Sequence, residues 1–186
     1  LSSDRPDLGL SITEQLYQNA DNMTDRFGAL SILAQHRGAA REAALDDFAR
    51  RFGADPLVLD KWFSLQASLP ETETLERIQR LMDHPGFSKS NPNRLRALVG
   101  AFAMSNLSQF NRIDGKGYEF VANIVIETDR SNPQVAARIL GAFKSWRGLE
   151  SERRGHAEHA LKRIAAEANL SPDVSDIVMR SLAQES

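Results

Sequence analysis

Apolar residues along this chain recur at helical spacing. Leu95, Leu98, Val99 and Phe102 fall at i, i+3, i+4 and i+7, and Val135, Ile139, Ala142, Phe143 and Trp146 follow a similar course. Each set is one stripe on a helix whose other side is polar, so each helix needs neighbours to bury that stripe. Val58, Trp62 and Leu65 form a third stripe, with Leu59 and Phe63 beside it, and Leu75, Ile78, Leu81 and Met82 a fourth. Leu45, Phe48 and Phe52 mark a helix over Ala39–Phe52 that stops at Gly53. A helix is also predicted from Met23 to about Gln35, a polar one from Glu150 to Ala168, and a last one from Pro172 to about Gln184. Tyr118–Thr128 reads as a helix, although Val121, Ile124, Val125 and Ile126 would also suit a strand. At the front, Leu1–Gly9 reads as an extended lead-in. Ser11-Ile-Thr-Glu14 has the form of a capping box opening a short helix to about Ala20. Pro70 is expected to open the helix that ends near Met82.

The helices repeat. Asn91-Pro-Asn-Arg-Leu-Arg-Ala-Leu-Val-Gly-Ala-Phe-Ala103 returns as Asn132-Pro-Gln-Val-Ala-Ala-Arg-Ile-Leu-Gly-Ala-Phe-Lys144. Asp55-Pro56 and Ser171-Pro172 head two further copies, so the prolines stand at 56, 92, 133 and 172, with steps of 36, 41 and 39. Asn, Asp or Ser supplies an oxygen to an unpaired amide of the first turn, at about 1 kcal/mol each. Proline fits the next position because its missing N–H would have had no partner. A period near 40 with an amphipathic helix in each step predicts stacked helical repeats. The expected fold is all-α: a right-handed superhelical array of antiparallel helix pairs of the HEAT or armadillo kind, with about ten to eleven helices. No linker of low complexity divides it, so residues 1–186 are expected to form one domain.

Composition narrows the function. The 186 residues carry a net charge of -2, without the basic excess of a dedicated nucleic-acid binder. There is no cysteine, which rules out disulfides, thiolate metal sites and cysteine nucleophiles, and fits a reducing compartment. No apolar run approaches membrane-spanning length, and no secretory signal pattern stands at the front. The chain begins at Leu1 rather than Met, and is expected to be a piece of a longer protein.

Self-contained chemistry is not evident. His156-Ala-Glu-His159 puts two histidines at i, i+3 among Arg153, Arg154, Glu158 and Lys162, the composition of a solvated helix face rather than of a zinc site with a full ligand set. His36 and His84 fall in breaks between helices, and Gly115-Lys-Gly117 reads as a turn before a helix. Asn22, Asn106 and Asn169 match the glycosylation sequon by chance. Trp62 and Trp146 are expected in the core. One polar set remains. Gln134 and Arg138 share a helix face at i, i+4, and the 41-residue step sets Arg138 opposite Ala97, next to Arg96. Two guanidiniums on one rim attract carboxylates. From the pattern alone, ordinary solvated arginines paired with Asp or Glu remain the favoured reading.

Several stretches, in order, resemble the C-terminal helical domain of bacterial aminopeptidase N, the gluzincin zinc aminopeptidase family. They are Asp21–Arg26, Asp55–Phe63, Asn91–Arg94, Gly100–Ala103, Asp114–Tyr118 and Asn132–Arg138. The likeness runs from about Ala20 to Leu182, is looser beyond Ser145 and is absent before Ala20. It implies a fragment of a multidomain cytoplasmic peptidase, inactive alone, with no cofactor of its own. Zinc and the substrate-amine motif belong to a catalytic domain that this stretch lacks. In the family the helical domain closes the active site from bulk solvent and restricts entry to short peptides. Carried over by motif, Arg96, Gln134 and Arg138 line the substrate side, which reverses the odds set by pattern. The implied partners are the catalytic and β domains of the same chain and peptide substrates, with no nucleic acid or membrane, in a monomer. The alternative is a stand-alone helical-repeat scaffold binding a protein or peptide in its concave face.

Overall fold

The polar-residue–proline openings are built as the sequence predicts. In the computed structural model, which describes residues 6–183, Asp55 Oδ1 accepts the Leu57 and Val58 amides at 2.8 and 3.3 Å. Asn91 Oδ1 accepts those of Asn93 and Arg94 at 3.0 and 3.3 Å. Asn132 Oδ1 accepts that of Val135 and Ser171 Oγ that of Val174, both at 3.2 Å. Each proline then sits in the first turn of its helix.

All regular structure among the described residues is helical. The helices are α1 Pro6–Asn19, α2 Met23–Leu33, α3 Ala39–Phe52, α4 Pro56–Ala67, α5 Thr74–Met82, α6 Pro92–Leu95, α7 Ala101–Ser105, α8 Leu107–Phe110, α9 Lys116–Asp129, α10 Pro133–Leu140, α11 Ser151–Ala165 and α12 Pro172–Leu182. A π-helical turn, Arg96–Gly100, joins α6 to α7, and a 3-10 stretch, Gly141–Gly148, continues α10. The β-branched run of 118–128 is helix, sandwiched by α10 and α11. Gly115, in the left-handed region at φ 72°, turns the chain into that helix.

The proline-headed helices make one layer. The π turn packs against α4 on one side and α10 on the other, and α10 packs on α12. Phe27 and Ser31 of α2 face Lys61, Ser64 and Leu65 of α4 across a groove, which places α2 at the near end of the same layer. Behind it lie α3 and α5 against α4, α9 against α10, and α11 against α9 and α12. The predicted stripes fill the space between: Leu95, Leu98, Val99, Phe102, Ile139 and Phe143 are each at most 1% exposed. Trp62 and Trp146 are core as expected, and their indoles donate to Leu45 O at 2.9 Å and Ser181 O at 3.2 Å.

Two expected boundaries are wrong. The lead-in expected over Leu1–Gly9 is helical from Pro6 onward, and residues 1–5 lie outside the described residues. Ser11 therefore lies inside α1 and caps nothing. The inward side of α1 is Gly9, Thr13 and Tyr17, at i, i+4 and i+8. Thr13 Oγ1 donates to Gly9 O at 2.8 Å, and Tyr17 Oη donates to Ala44 O at 2.9 Å. A buried stripe of Gly, Thr and Tyr gives no aliphatic signal. Likewise α5 begins at Thr74 rather than Pro70. Glu71 is drawn 2.5 Å from Arg41 Nη1, and Glu73 2.7 Å from Arg37 Nη2. Those long-range ion pairs hold the intervening residues as a turn. The last helix ends at Leu182; the expected end at Gln184 falls outside the described residues.

Candidate functional site

A helix in the middle of the proline-headed layer has neighbours on both sides and the second layer behind. Only its fourth side is free. Arg96 of the π turn and Gln134 and Arg138 of α10 are all exposed. The elements that carry them, the π turn and α10, pack on each other.

The chemistry of the set depends on which cations are already committed. Among the described residues Arg94, Arg41 and Arg77 pair with Asp60 at 2.6 Å, Glu71 at 2.5 Å and Glu42 at 2.8 Å. Lys89 pairs with Glu127 at 2.7 Å and Arg51 with Asp47 at 2.7 Å. Arg138 has no such carboxylate partner, and neither has Arg96, whose guanidinium bonds Pro92 O at 3.2 Å and the side chain of Asn93. Two uncommitted guanidiniums with an amide beside them offer donors to an anion, and a carboxylate accepts such a fork with two parallel bonds.

Arg94, two residues before Arg96, has a different role. It is 7% exposed, donates to Asp60 Oδ1 at 2.6 Å and Pro56 O at 2.9 Å, and lies over the Phe63 ring. It fastens α6 to α4 and so sets the register in which Arg96 is presented. Ser64 Oγ donates to Ala97 O at 2.9 Å inside the π turn, satisfying a carbonyl where the helical ladder is irregular. Asn106 is 2% exposed and ties the end of α7 to Ala67 O and Leu69 O at 3.0 and 2.6 Å. Its sequon match is therefore a structural asparagine. Buried Asp129 accepts the Ser171 amide at 2.8 Å, which seats the start of α12.

Sequence reasoning passed over Lys61. It stands five residues behind Pro56 as Arg138 stands five behind Pro133, it is exposed, and it has no ion pair among the described residues. The repeat spacing carried that signal.

The titrating groups with displaced pKa values are structural. Burial, and then the nearby Arg94 charge, hold His84 below the usual imidazole range. Its ring packs on Trp62 and Phe63, and its Nδ1 accepts the Gly86 amide at 3.0 Å. Burial pushes the Tyr118 phenol up to about 12, and the Arg77 hydrogen bond holds Glu42 below the usual carboxylate range. His156 packs over Gly115. Among the described residues no three His, Asp or Glu side chains gather where they would hold a metal ion. The described residues therefore do not fit a zinc site.

Over residues 1–183 the sequence matches the family described as "Domain of unknown function (DUF3458_C) ARM repeats". The chain belongs to this ARM-repeat family. It is 42% identical over 175 residues to aminopeptidase N of Haemophilus influenzae, spanning 94% of this chain and 20% of that protein. Against aminopeptidase N of Caulobacter vibrioides it is 40% identical over 163 residues, 88% of this chain and 19% of that one. A crystal structure of Legionella pneumophila aminopeptidase A in complex with aspartic acid superposes with a TM-score of 0.91 at 30% identity. That match covers 98% of this chain and 21% of the other. The ARM-repeat chain thus spans about a fifth of the length of the relatives it matches, and the family match extends ahead of Ala20, where the motifs showed no likeness. No described helix is long and apolar enough to cross a membrane.

Proposed function

We propose that these ARM repeats are the C-terminal helical domain of a zinc-dependent, cytoplasmic aminopeptidase N, acting as a monomer. In this reading the repeats cap the active site and shape the channel by which short peptides reach it. The catalytic domain of the same longer chain holds the zinc and removes the N-terminal residue. Arg96, Gln134 and Arg138 line the substrate side and position the peptide rather than react with it. The finer assignment of Arg96 and Arg138 is supported by their exposure and by the lack of a carboxylate partner for either among the described residues. The identity to two aminopeptidases N over most of the chain supports the reading as a whole.

The decisive experiment uses the full-length enzyme. Arg138→Ala raises KM for short free-acid peptides about fivefold, the worth of a partly solvated charge contact, with kcat and zinc content unchanged. Loss of zinc, or an unchanged KM for every peptide, overturns the reading. The ARM-repeat domain by itself shows no turnover of an aminoacyl-nitroanilide with or without added zinc.

A further inference from the structure

Each copy of the Asn-Pro motif carries a side-chain amide just ahead of its arginine. Asn93 follows the first proline, with Arg96 three positions on; Gln134 follows the second, with Arg138 four positions on. All four are exposed. Residues three and four apart on a helix are neighbours, so each arginine has an amide of its own within reach. The two amides are used differently. Asn93 Oδ1 accepts a hydrogen bond from Arg96 Nη2, and Pro92 O accepts one from Arg96 Nε at 3.2 Å. In the second copy Asn132 caps Val135 at 3.2 Å, but among the described residues no bond joins Gln134 to Arg138.

The geometry of the guanidinium gives the difference a chemical meaning. It is planar, with five N–H donors in a fixed fork. The Nε–H and one Nη2–H share an edge, and in Arg96 that edge is spent on Pro92 O and Asn93 Oδ1. The Nη1 and Nη2 donors at the far end are left, and these are parallel, the arrangement a carboxylate accepts with two bonds. Elsewhere on the surface a carboxylate holds the arginine: Asp47 pairs with Arg51 and Asp176 with Arg180, each four residues on. Those cations are committed. Asn93 is neutral, so it orients Arg96 without cancelling the charge. The backbone of Asn93 is itself fixed, because its amide donates to Asn91 Oδ1 at 3.0 Å and the next residue, Arg94, is buried on Asp60. A side chain held in place before its ligand arrives loses less rotamer freedom on binding.

We infer that Asn93 is a positioning residue that presets Arg96, its far Nη donors free, to take a substrate carboxylate, whereas Arg138 becomes ordered only when the peptide arrives. The inference rests on the reading that Arg96 meets the substrate in the full-length enzyme. Asn93 acts through Arg96 and touches no reacting atom.

The test is steady-state kinetics of the full-length enzyme on trialanine as the free acid and as the C-terminal amide. Asn93→Ala raises KM for the acid about twofold to fivefold, the cost of ordering one long side chain on binding, and leaves kcat and the amide unchanged. Asn93→Asp keeps the shape and the hydrogen bond but adds a negative charge. It raises KM for the acid further, because Arg96 is then paired as Arg51 is and the substrate carboxylate is repelled. In an Arg96→Ala background Asn93→Ala changes nothing more, since its effect runs through the arginine. Asn93 is exposed, and among the described residues its side chain bonds only to Arg96, so these variants fold. If both Asn93 variants leave the acid unchanged, or shift acid and amide alike, while Arg96→Ala raises KM for the acid alone, Asn93 has no positioning role and the reading of the arginines stands. Additive losses in the double variant also refute the role. If Arg96→Ala leaves the acid unchanged the inference falls, and if Arg138→Ala does so too, the reading of the arginines falls with it.

Discussion

The two copies of the Asn-Pro motif begin alike and end differently. Asn91 and Asn132 both cap, Pro92 and Pro133 both occupy the first turn, and Phe102 and Phe143 are both buried at 1% exposure or less. Yet the first copy widens into a π turn at Arg96–Gly100, whereas the second tightens into a 3-10 stretch at Gly141–Gly148. Their surroundings differ in kind. Buried Arg94 binds Asp60, and Ser64 takes the carbonyl of Ala97, so polar contacts pin the first copy to α4. The 41-residue step puts Val135 where the first copy has Arg94, and Val135 is simply buried at 9% exposure. One motif therefore starts a helix in both places, while neighbours decide how the helix continues and which way its arginines are presented.

The largest effect is expected where the copies differ most. Arg94→Leu strands the largely buried Asp60 carboxylate and costs about 3 kcal/mol in urea unfolding. Adding Asp60→Leu recovers most of that loss, because the pair is then replaced by apolar packing of the kind Val135 already provides. Full additivity of the two losses would show that the pair is not coupled. A smaller contrast separates the caps. Asn91→Ala and Asn132→Ala each cost about 1 kcal/mol, with the first the larger because Asn91 serves two amides and Asn132 one. Equal or reversed losses would contradict that account.

The smallest effect is one of pH. His84 in the folded chain titrates below its unfolded value of about 6.5. The unfolded chain therefore binds more protons in the window between the folded and unfolded values, and stability rises with pH there. The contribution is fully present above pH 6.5 and is lost as pH falls toward the folded value. Stability measured against pH shows this slope in the wild type, a shallower one in Arg94→Leu, where a repelling charge is gone, and none from this source in His84→Gln. A slope unchanged in His84→Gln would assign it to another group.

Legibility followed the kind of force at work. Helix starts marked by a polar residue and proline were readable, since cap and proline act within four residues of sequence. The aliphatic stripes were readable because burial of apolar area repeats every 3.6 residues whatever the partner. Helix α1 was misplaced because it buries Gly9, Thr13 and Tyr17, whose contribution comes from hydrogen bonds to Gly9 O and Ala44 O rather than from aliphatic area. The start of α5 was misplaced because ion pairs spanning about thirty residues hold the turn before it. In the candidate site, repeat spacing set Arg138 beside Arg96 in register, while their substrate role with Gln134 came only from the family resemblance. Arg94 was legible only as part of a motif, since neither its burial nor its Asp60 partner is written in local order.

The sequence by itself determined a helical array with a period near 40 and the positions where four of its helices begin, because capping and amphipathic burial are local and periodic. Only the tertiary structure decided which arginine is locked inside and which is left free, and whether a helix relaxes to π or tightens to 3-10. Those outcomes depend on which side chains from distant helices reach a given guanidinium or carbonyl, and such partners are chosen by packing.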